Sequence, residues 1–248
     1  MSEPSTMSAW SERRVDLADM LLGGGLFGDD LQAVLGSCRA ISARRGQSLL
    51  RAEDERAVLL LQGSTKAHAS TRDGNEVITQ VLGPGDTSGL LAALDFPSAG
   101  TALTALEPVQ GLMIVGSKLR QLLPTHPEIA LACLRTVTHQ QAAAYGERLR
   151  FAGTSVTQRV AARLLALAER WGDIEGKQAR ITLLTQEELA AWSGASRESA
   201  AKALQLMRNT GLIVTGRRSL TVLDLPRLRE RCEPSGCDDV RNLLGSLA

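Results

Sequence analysis

Hydrophobic spacing divides the chain into two textures. In the first half, short apolar runs alternate with turns. ERAVLLLQGSTKAHAS is a continuous apolar run followed by a Gly-Ser turn and alternation, TRDGNEVITQVLGPGD sets Asp73-Gly74 between two strand candidates, and TALTALEPVQGLMIVG repeats the pattern. Strands at this spacing predict a small β-sandwich or barrel. Ahead of them GLFGDDLQAVLGSC predicts a short helix, and LRQLLPTHPEI predicts another that ends at a Pro boundary. From Pro127 to Ala152 the period becomes helical, with Ile129, Cys133, Val137, Ala144 and Leu149 recurring. A helix of about 25 residues is a rod of roughly 38 Å. Its narrow, Ala-rich stripe suits packing against a second copy of itself, with an intramolecular core helix as the competing reading.

Gly153-Thr154-Ser155 interrupts this helix, a hinge between two halves, and Ser155 is a good N-cap for VTQRVAARLLALAERWG. Val160, Leu164, Leu165, Leu167 and Ala168 form one apolar face of that segment, and Gly172 lies past its end. Next comes LTQEELAAWSGASRESAAKALQLMRNTGLIVTGRRSLTVLD. Thr185 and Glu188 make a capping box opening a short helix, Gly194 supplies a turn, and Ser196 caps a second helix reaching Asn209. Ala190 and Ala200 are small where two helices must cross, and Leu189, Ala203 and Leu204 can face a shared core. This is the sequence form of a helix-turn-helix.

Gly211 ends the second helix, and LIVT and SLTVL, joined by GRR, predict a hairpin wing with Arg217 and Arg218 at its tip. Arg197, Glu198, Ser199 and Lys202 lie near the N-terminus of the second helix, away from Ala203 and Leu204. On such a face Arg can bridge guanine O6 and N7, and Glu can accept from cytosine N4, in a major groove about 12 Å wide. Thr185, Gln186, Ser196, Ser199 and the wing arginines are the expected phosphate contacts.

Charge supports that assignment. From Lys177 to Arg231 ten Lys and Arg face five acids, a local +5 that leaves −4 for the remainder of a chain whose overall charge is +1. Concentrated basic charge points to an anionic partner, with double-stranded DNA first in line. No apolar run approaches the roughly 20 residues of a membrane span, and the start lacks a signal-peptide core, so a cytoplasmic location without membrane contact is expected. Cys38, Cys133, Cys232 and Cys237 are too few and too scattered for a disulfide scaffold; Cys232 and Cys237, in a polar tail, read as two exposed thiols. His68, His126 and His139 are isolated, and no metal site is expected. Neither a nucleophile–base pair, an HExxH nor a phosphate-binding GxxxxGK occurs, so no enzymatic activity is expected.

These residues together resemble the CRP/FNR family of bacterial transcription regulators, from about Leu26 to Leu225. GASRESAAKAL is similar to the family's recognition helix, HPEIALACLRTVTHQQAAAYGERLRF to its dimerisation helix, and DGNEVITQVLGPGD with TALTALEP to its sensor domain. The resemblance implies an α+β chain: an N-terminal β-roll (a cyclic-nucleotide-binding-like double-stranded β-helix), a long dimerisation helix and a C-terminal winged helix-turn-helix. The implied division is an N-terminal segment 1–20, β-roll 21–125, dimerisation helix 126–152, winged domain 153–231 and tail 232–248. It also implies a homodimer on a palindromic site, RNA polymerase as a further partner, and Arg197 and Glu198 at the base-reading positions. Lys202 replaces a further arginine, which keeps the charge and gives up the planar fork.

The sensor segment departs from the pattern. In cyclic-nucleotide-binding members a Gly-Glu-Leu run holds the ribose and an Arg-Ser pair holds the cyclic phosphate. Here those runs read Gly89-Leu90-Leu91 and Ala99-Gly100, and no Lys, Arg or His occurs between Arg72 and Lys118. Ala144-Tyr145 stands where the adenine would be touched. A phosphate in an apolar pocket without a counter-ion is costly, so cyclic AMP is not expected to bind in the usual way, and no other cofactor is indicated. N–H groups of Gly83, Gly85 and Gly89 offer a weak anion nest instead. Gly85, Gly89, Leu90, Ala99, Gly100 and Tyr145 are the candidate effector pocket. Nor are there cysteines before Cys38 to hold an iron–sulfur centre. The alternative function is an effector-binding or protein-interaction module whose helix-turn-helix no longer reads DNA.

Overall fold

The computed structural model describes residues 25–97 and 100–232. The chain divides after Tyr145 into two units.

In the first unit, helix α1 (Gly28–Ser37) precedes eight strands: β1 (Arg39–Ala43), β2 (Ser48–Leu50), β3 (Arg56–Gln62), β4 (Thr65–Ser70), β5 (Glu76–Leu82), β6 (Thr87–Ser88), β7 (Ala102–Ala105) and β8 (Val109–Val115). They form two antiparallel four-stranded sheets, ordered β1-β8-β3-β6 and β2-β7-β4-β5. Period-two alternation gives β3 two apolar faces. Val58 and Leu60 join Leu50, Leu103 and Met113 in one core, while Ala57, Leu59 and Leu61 pack in another with α1, α2 (Leu90–Ala93) and α3 (Gly116–Leu122). β3 is thus buried on both sides, which is why its sequence reads as an unbroken apolar run.

The long helix α4 spans Pro127–Ala152, as expected, but its stripe does not do what its period suggested. Ile129 and Cys133 are buried in the unit's own core and Val137 packs against it. A series of four-residue steps rotates about 40° per step on a helix, which puts Leu149 on nearly the opposite side from Ile129. The exposed apolar positions are Leu131, Leu134, Tyr145 and Leu149. On an ideal helix these four lie within an arc of about 60°, so the unpartnered stripe is theirs.

In the second unit, α5 (Val156–Trp171) starts with a full capping box between Ser155 and Gln158. The hairpin β9 (Asp173–Glu175) and β10 (Gln178–Ile181), absent from the sequence reading, joins β11 (Ile213–Gly216) and β12 (Ser219–Val222) in a sheet ordered β11-β12-β10-β9. The paired helices are α6 (Gln186–Trp192) and α7 (Arg197–Asn209). A further helix, α8 (Leu225–Cys232), went unread: Leu228 is buried and Arg229 pairs with Glu169 on α5. Cys232 therefore closes a helix, half-buried, rather than standing exposed in a tail, and Cys237 lies outside the described residues. No helix among the described residues is long and apolar enough to cross a membrane.

Candidate nucleic-acid interface and sensor turn

The helix-turn-helix forms where its local signals put it. Thr185 Oγ1 accepts from the Glu188 N–H at 3.1 Å while Glu188 Oε2 accepts from the Thr185 N–H at 2.9 Å, so two otherwise orphaned donors at the helix start are satisfied. Ser196 Oγ accepts from the Ser199 N–H at 3.2 Å and donates to Ser199 Oγ at 2.9 Å. Between the helices Gly194 takes φ +58, a left-handed value that only glycine adopts without cost.

Leu189, Ala190, Ala200, Ala203, Leu204 and Met207 are buried in the crossing. That leaves Arg197, Glu198, Ala201 and Lys202 on the outer face of α7. Lys202 and Glu198 form an exposed i,i+4 pair at 2.7 Å, which holds each near the other with little energy at stake. A cavity of about 310 Å³ lined by Thr185, Gln186, Glu187, Arg197 and Ala201 brings two expected phosphate contacts beside an expected base reader. Glu187, in the first turn of α6, adds an acid to the same lining. Arg217 and Arg218 occupy the two-residue turn closed by the Gly216–Ser219 pair, both exposed, with Arg218 at φ +60.

Behind this face is a set of residues the sequence did not reveal. Arg159 Nε donates to the Ser193 carbonyl at 3.0 Å, Nη2 to Gly194 at 3.2 Å and Nη1 to Thr154 at 3.1 Å. One turn along α5, Arg163 Nε donates to the Trp192 carbonyl at 3.1 Å. Its Nη1 and Nη2 reach the two carboxylate oxygens of Glu147 at 2.5 and 3.1 Å. The two arginines thereby satisfy the carbonyls that α6 leaves open at its C-terminal end, where positive charge is favoured. Both also lie over the Phe151 ring, at 5.4 and 5.1 Å.

The sensor turn is built differently. Gly89 has φ +80, and a Cβ there would lie 2.2 Å from the Arg56 carbonyl oxygen, so no other residue fits without moving the backbone. Leu90, expected in a pocket, is buried in the core beside Ala93. Two donors of the expected anion nest are spent: the Gly83 N–H goes to Asp86 Oδ2 at 2.8 Å and the Gly85 N–H to the Leu60 carbonyl at 2.9 Å. Tyr145 is 64% exposed, and a polar link from the long helix to this region comes from Gln140, whose Nε2 donates to the Thr87 carbonyl at 2.7 Å. Gly100 lies beside Ala52, and Ala99 is outside the described residues.

An arginine from outside that segment packs its backbone against the turn. Arg56, whose carbonyl abuts Gly89, reaches the Met113 sulfur in the core at 3.7 Å and pairs with Asp54. Asp54 is partly desolvated, which raises its pKa, but hydrogen bonds from the Arg51 N–H and the Arg56 guanidinium outweigh this and hold it below the usual carboxylate range. A cavity of about 320 Å³ lies here, lined by Ser48, Leu49, Arg51, Glu53, Asp54 and Arg56, with its two cations matched by two acids.

Burial pushes the Cys38 thiol up to about 12 and Cys133 to about 11, so neither is a thiolate at neutral pH. His126 sits 2.7 Å from Asp30, and His68 lies between Glu76 and Thr104 with its pKa lowered by burial.

Comparison with known proteins agrees with this layout. The family described as cyclic nucleotide-binding domain matches residues 40–126, and the Crp-like helix-turn-helix domain matches residues 158–231. A CRP-like cAMP-activated global transcriptional regulator of Mycobacterium tuberculosis is 32% identical over 178 residues, covering 71% of this chain and 80% of that protein. The transcriptional regulator SdrP of Thermus thermophilus is 28% identical over 189 residues, covering 73% and 86%. In fold, the chain is similar to a solved CRP/FNR regulator from Thermus thermophilus, with TM-score 0.68, 24% identity and coverage of 80% of this chain and 100% of that one.

Proposed function

The chain belongs to the CRP/FNR family of transcription regulators, and from that premise we propose that it acts as a homodimer on a palindromic operator, without control by cyclic AMP in the usual way. The observation that carries the reading is the outer face of α7. Arg197, Glu198 and Lys202 stand exposed on a helix whose other side is sealed by Ala200, Ala203, Leu204 and Met207. Arg197 and Lys202 read guanine edges and Glu198 accepts from cytosine. Thr185, Gln186, Ser196, Ser199, Arg217 and Arg218 hold phosphates and set the register.

Two copies join along α4 through Leu131, Leu134, Tyr145 and Leu149, the apolar stripe that its own core leaves open. The two recognition helices then enter successive major grooves roughly 34 Å apart. In this division of labour 21–125 is the sensor, 126–152 the dimerisation helix and 153–231 the reader, with RNA polymerase a further partner.

The Mycobacterium tuberculosis relative is named as cAMP-activated. In this chain the ribose-binding acid is replaced by a buried leucine, and the guanidinium of Arg56, whose backbone abuts Gly89, is already paired with Asp54. Cyclic phosphate would have to displace that carboxylate, so the regulator answers a different effector or its own abundance. The test is fluorescence anisotropy on the duplex upstream of its own gene, with sedimentation to give the mass of the bound species. Dimer binding that weakens about a thousandfold between roughly 50 and 200 mM salt is expected. A curve indifferent to salt, or a bound monomer, defeats the reading.

A further inference from the structure

We propose that Glu147 is a positioning residue for DNA reading: through Arg163 it fixes the end of the long helix against the turn from which the recognition helix starts. This rests on the reading that α7 reads DNA and adds what sets its angle. Glu147 is the second residue of the C-terminal unit, so every contact in the clamp lies within that unit.

Arg163 is 7% exposed, yet each of its three guanidinium nitrogens makes a hydrogen bond. Nε takes the Trp192 carbonyl, the two terminal nitrogens take both oxygens of Glu147, and the flat face lies 4.4 Å from the Trp192 ring and 5.1 Å from Phe151. Stability does not explain such a group. A buried ion pair is a weak source of stability, often matched by apolar side chains of the same volume, while removing one partner strands a charge. What the two-pronged Arg–carboxylate geometry supplies is direction.

That direction is aimed at one place. Trp192 ends α6, and Ser193 and Gly194, held by Arg159, lead to Ser196, the cap of the recognition helix. Trp192 Nε1 is buried with no partner among the described residues, so this residue is located by its packing, the ring stack on Arg163 included, rather than by its own donor. A displacement of Glu147 or Phe151 therefore reaches the start of α7 through two guanidinium groups. The sensor can act on this junction through the helix that carries Glu147, whatever effector it takes.

The test uses the full chain carrying Cys232→Ser and Cys237→Ser, with nitroxides at Arg148→Cys and Gln205→Cys, diluted in unlabelled protein so that distances within one chain are read. Glu147→Gln should broaden the 148–205 distance distribution. It should also lower affinity for the specific duplex about tenfold while leaving nonspecific duplex binding and its salt slope unchanged. Arg163→Lys, which keeps the charge and loses the fork, should broaden it as well and serves if Glu147→Gln does not fold by circular dichroism. Unchanged distributions in the folded variants, or equal losses on specific and nonspecific duplex, overturn the proposal. If the unsubstituted chain binds no duplex, the reading of DNA recognition falls and the distances alone decide whether the clamp exists.

Discussion

The recognition helix and the sensor turn begin alike, with a helix that starts at or just after a left-handed glycine, Gly194 at φ +58 and Gly89 at φ +80, and they end with opposite surfaces. After Gly194, α7 turns its small and aliphatic residues inward and leaves Arg197, Glu198 and Lys202 outside. After Gly89, the four-residue helix turns Leu90 inward and presents no charged side chain, because none exists in that stretch. The two helices share a scaffold, and exposed charged side chains stand on only one of them. A shared fold therefore says where an effector would sit and leaves open what it is.

Removing the charged face of α7 should have the largest effect. Arg197→Ala/Lys202→Ala leaves the packed side of α7 intact and deletes the two cations proposed to read bases, a good base contact being worth about 1–3 kcal/mol. Specific binding should fall roughly a hundredfold or more in anisotropy, with the melting temperature unchanged. Loss within a factor of two would mean that the exposed face is a solvated surface and that the two regions do not differ.

Restoring the missing acid should fail. Leu90→Glu places a carboxylate where the family's pattern has one, but the Leu90 side chain packs with Leu59, Ala93 and Leu119 in the core. The expected result is a cost of about 3 kcal/mol and no gain in nucleotide binding, read by thermal unfolding with and without cyclic AMP. A stable variant that binds the nucleotide would show that the turn can swing Leu90 outward.

The wing comes next. Arg217→Ala/Arg218→Ala removes two exposed cations, and the slope of log K against log salt should shrink by about two units, with a smaller loss on every sequence alike. Sequence-selective loss would make these residues base readers rather than phosphate contacts.

How much of this could be read from the chain follows the reach of each interaction. The helix-turn-helix was legible because its signals are local: the Thr185–Glu188 and Ser196–Ser199 caps each span three residues, and Gly194 marks its own turn. The stripe on α4 was half legible. Period showed a helix but not which arc its own core would cover, and Ile129 and Cys133 went inside. The clamp was invisible, since Arg163 meets partners 16 and 29 positions away and an Arg in an apolar helix face reads as an interruption. In the sensor turn the sequence revealed the lack of a cation within the segment, while the approach of Arg56 through β3 depended on sheet pairing.

Arg56 is also where the comparison is easiest to upset, through an effect expected to be close to nothing. A ligand that binds only the folded chain stabilises it by about 0.4 kcal/mol when its concentration equals its Kd. For a chain of this size that is a shift of roughly 1–2 °C. Cyclic AMP at about 1 mM should therefore move the melting temperature by less than this, if its Kd lies above that level. The Asp54 carboxylate, held ionised by Arg51 and Arg56, occupies the guanidinium that a phosphate would need. A larger shift, lost on Arg56→Ala and retained by Gly100→Ala, would mean that the phosphate displaces Asp54. The sensor turn would then have moved its cation from its own loop to the neighbouring strand, and the two regions would have kept the same chemistry by different routes.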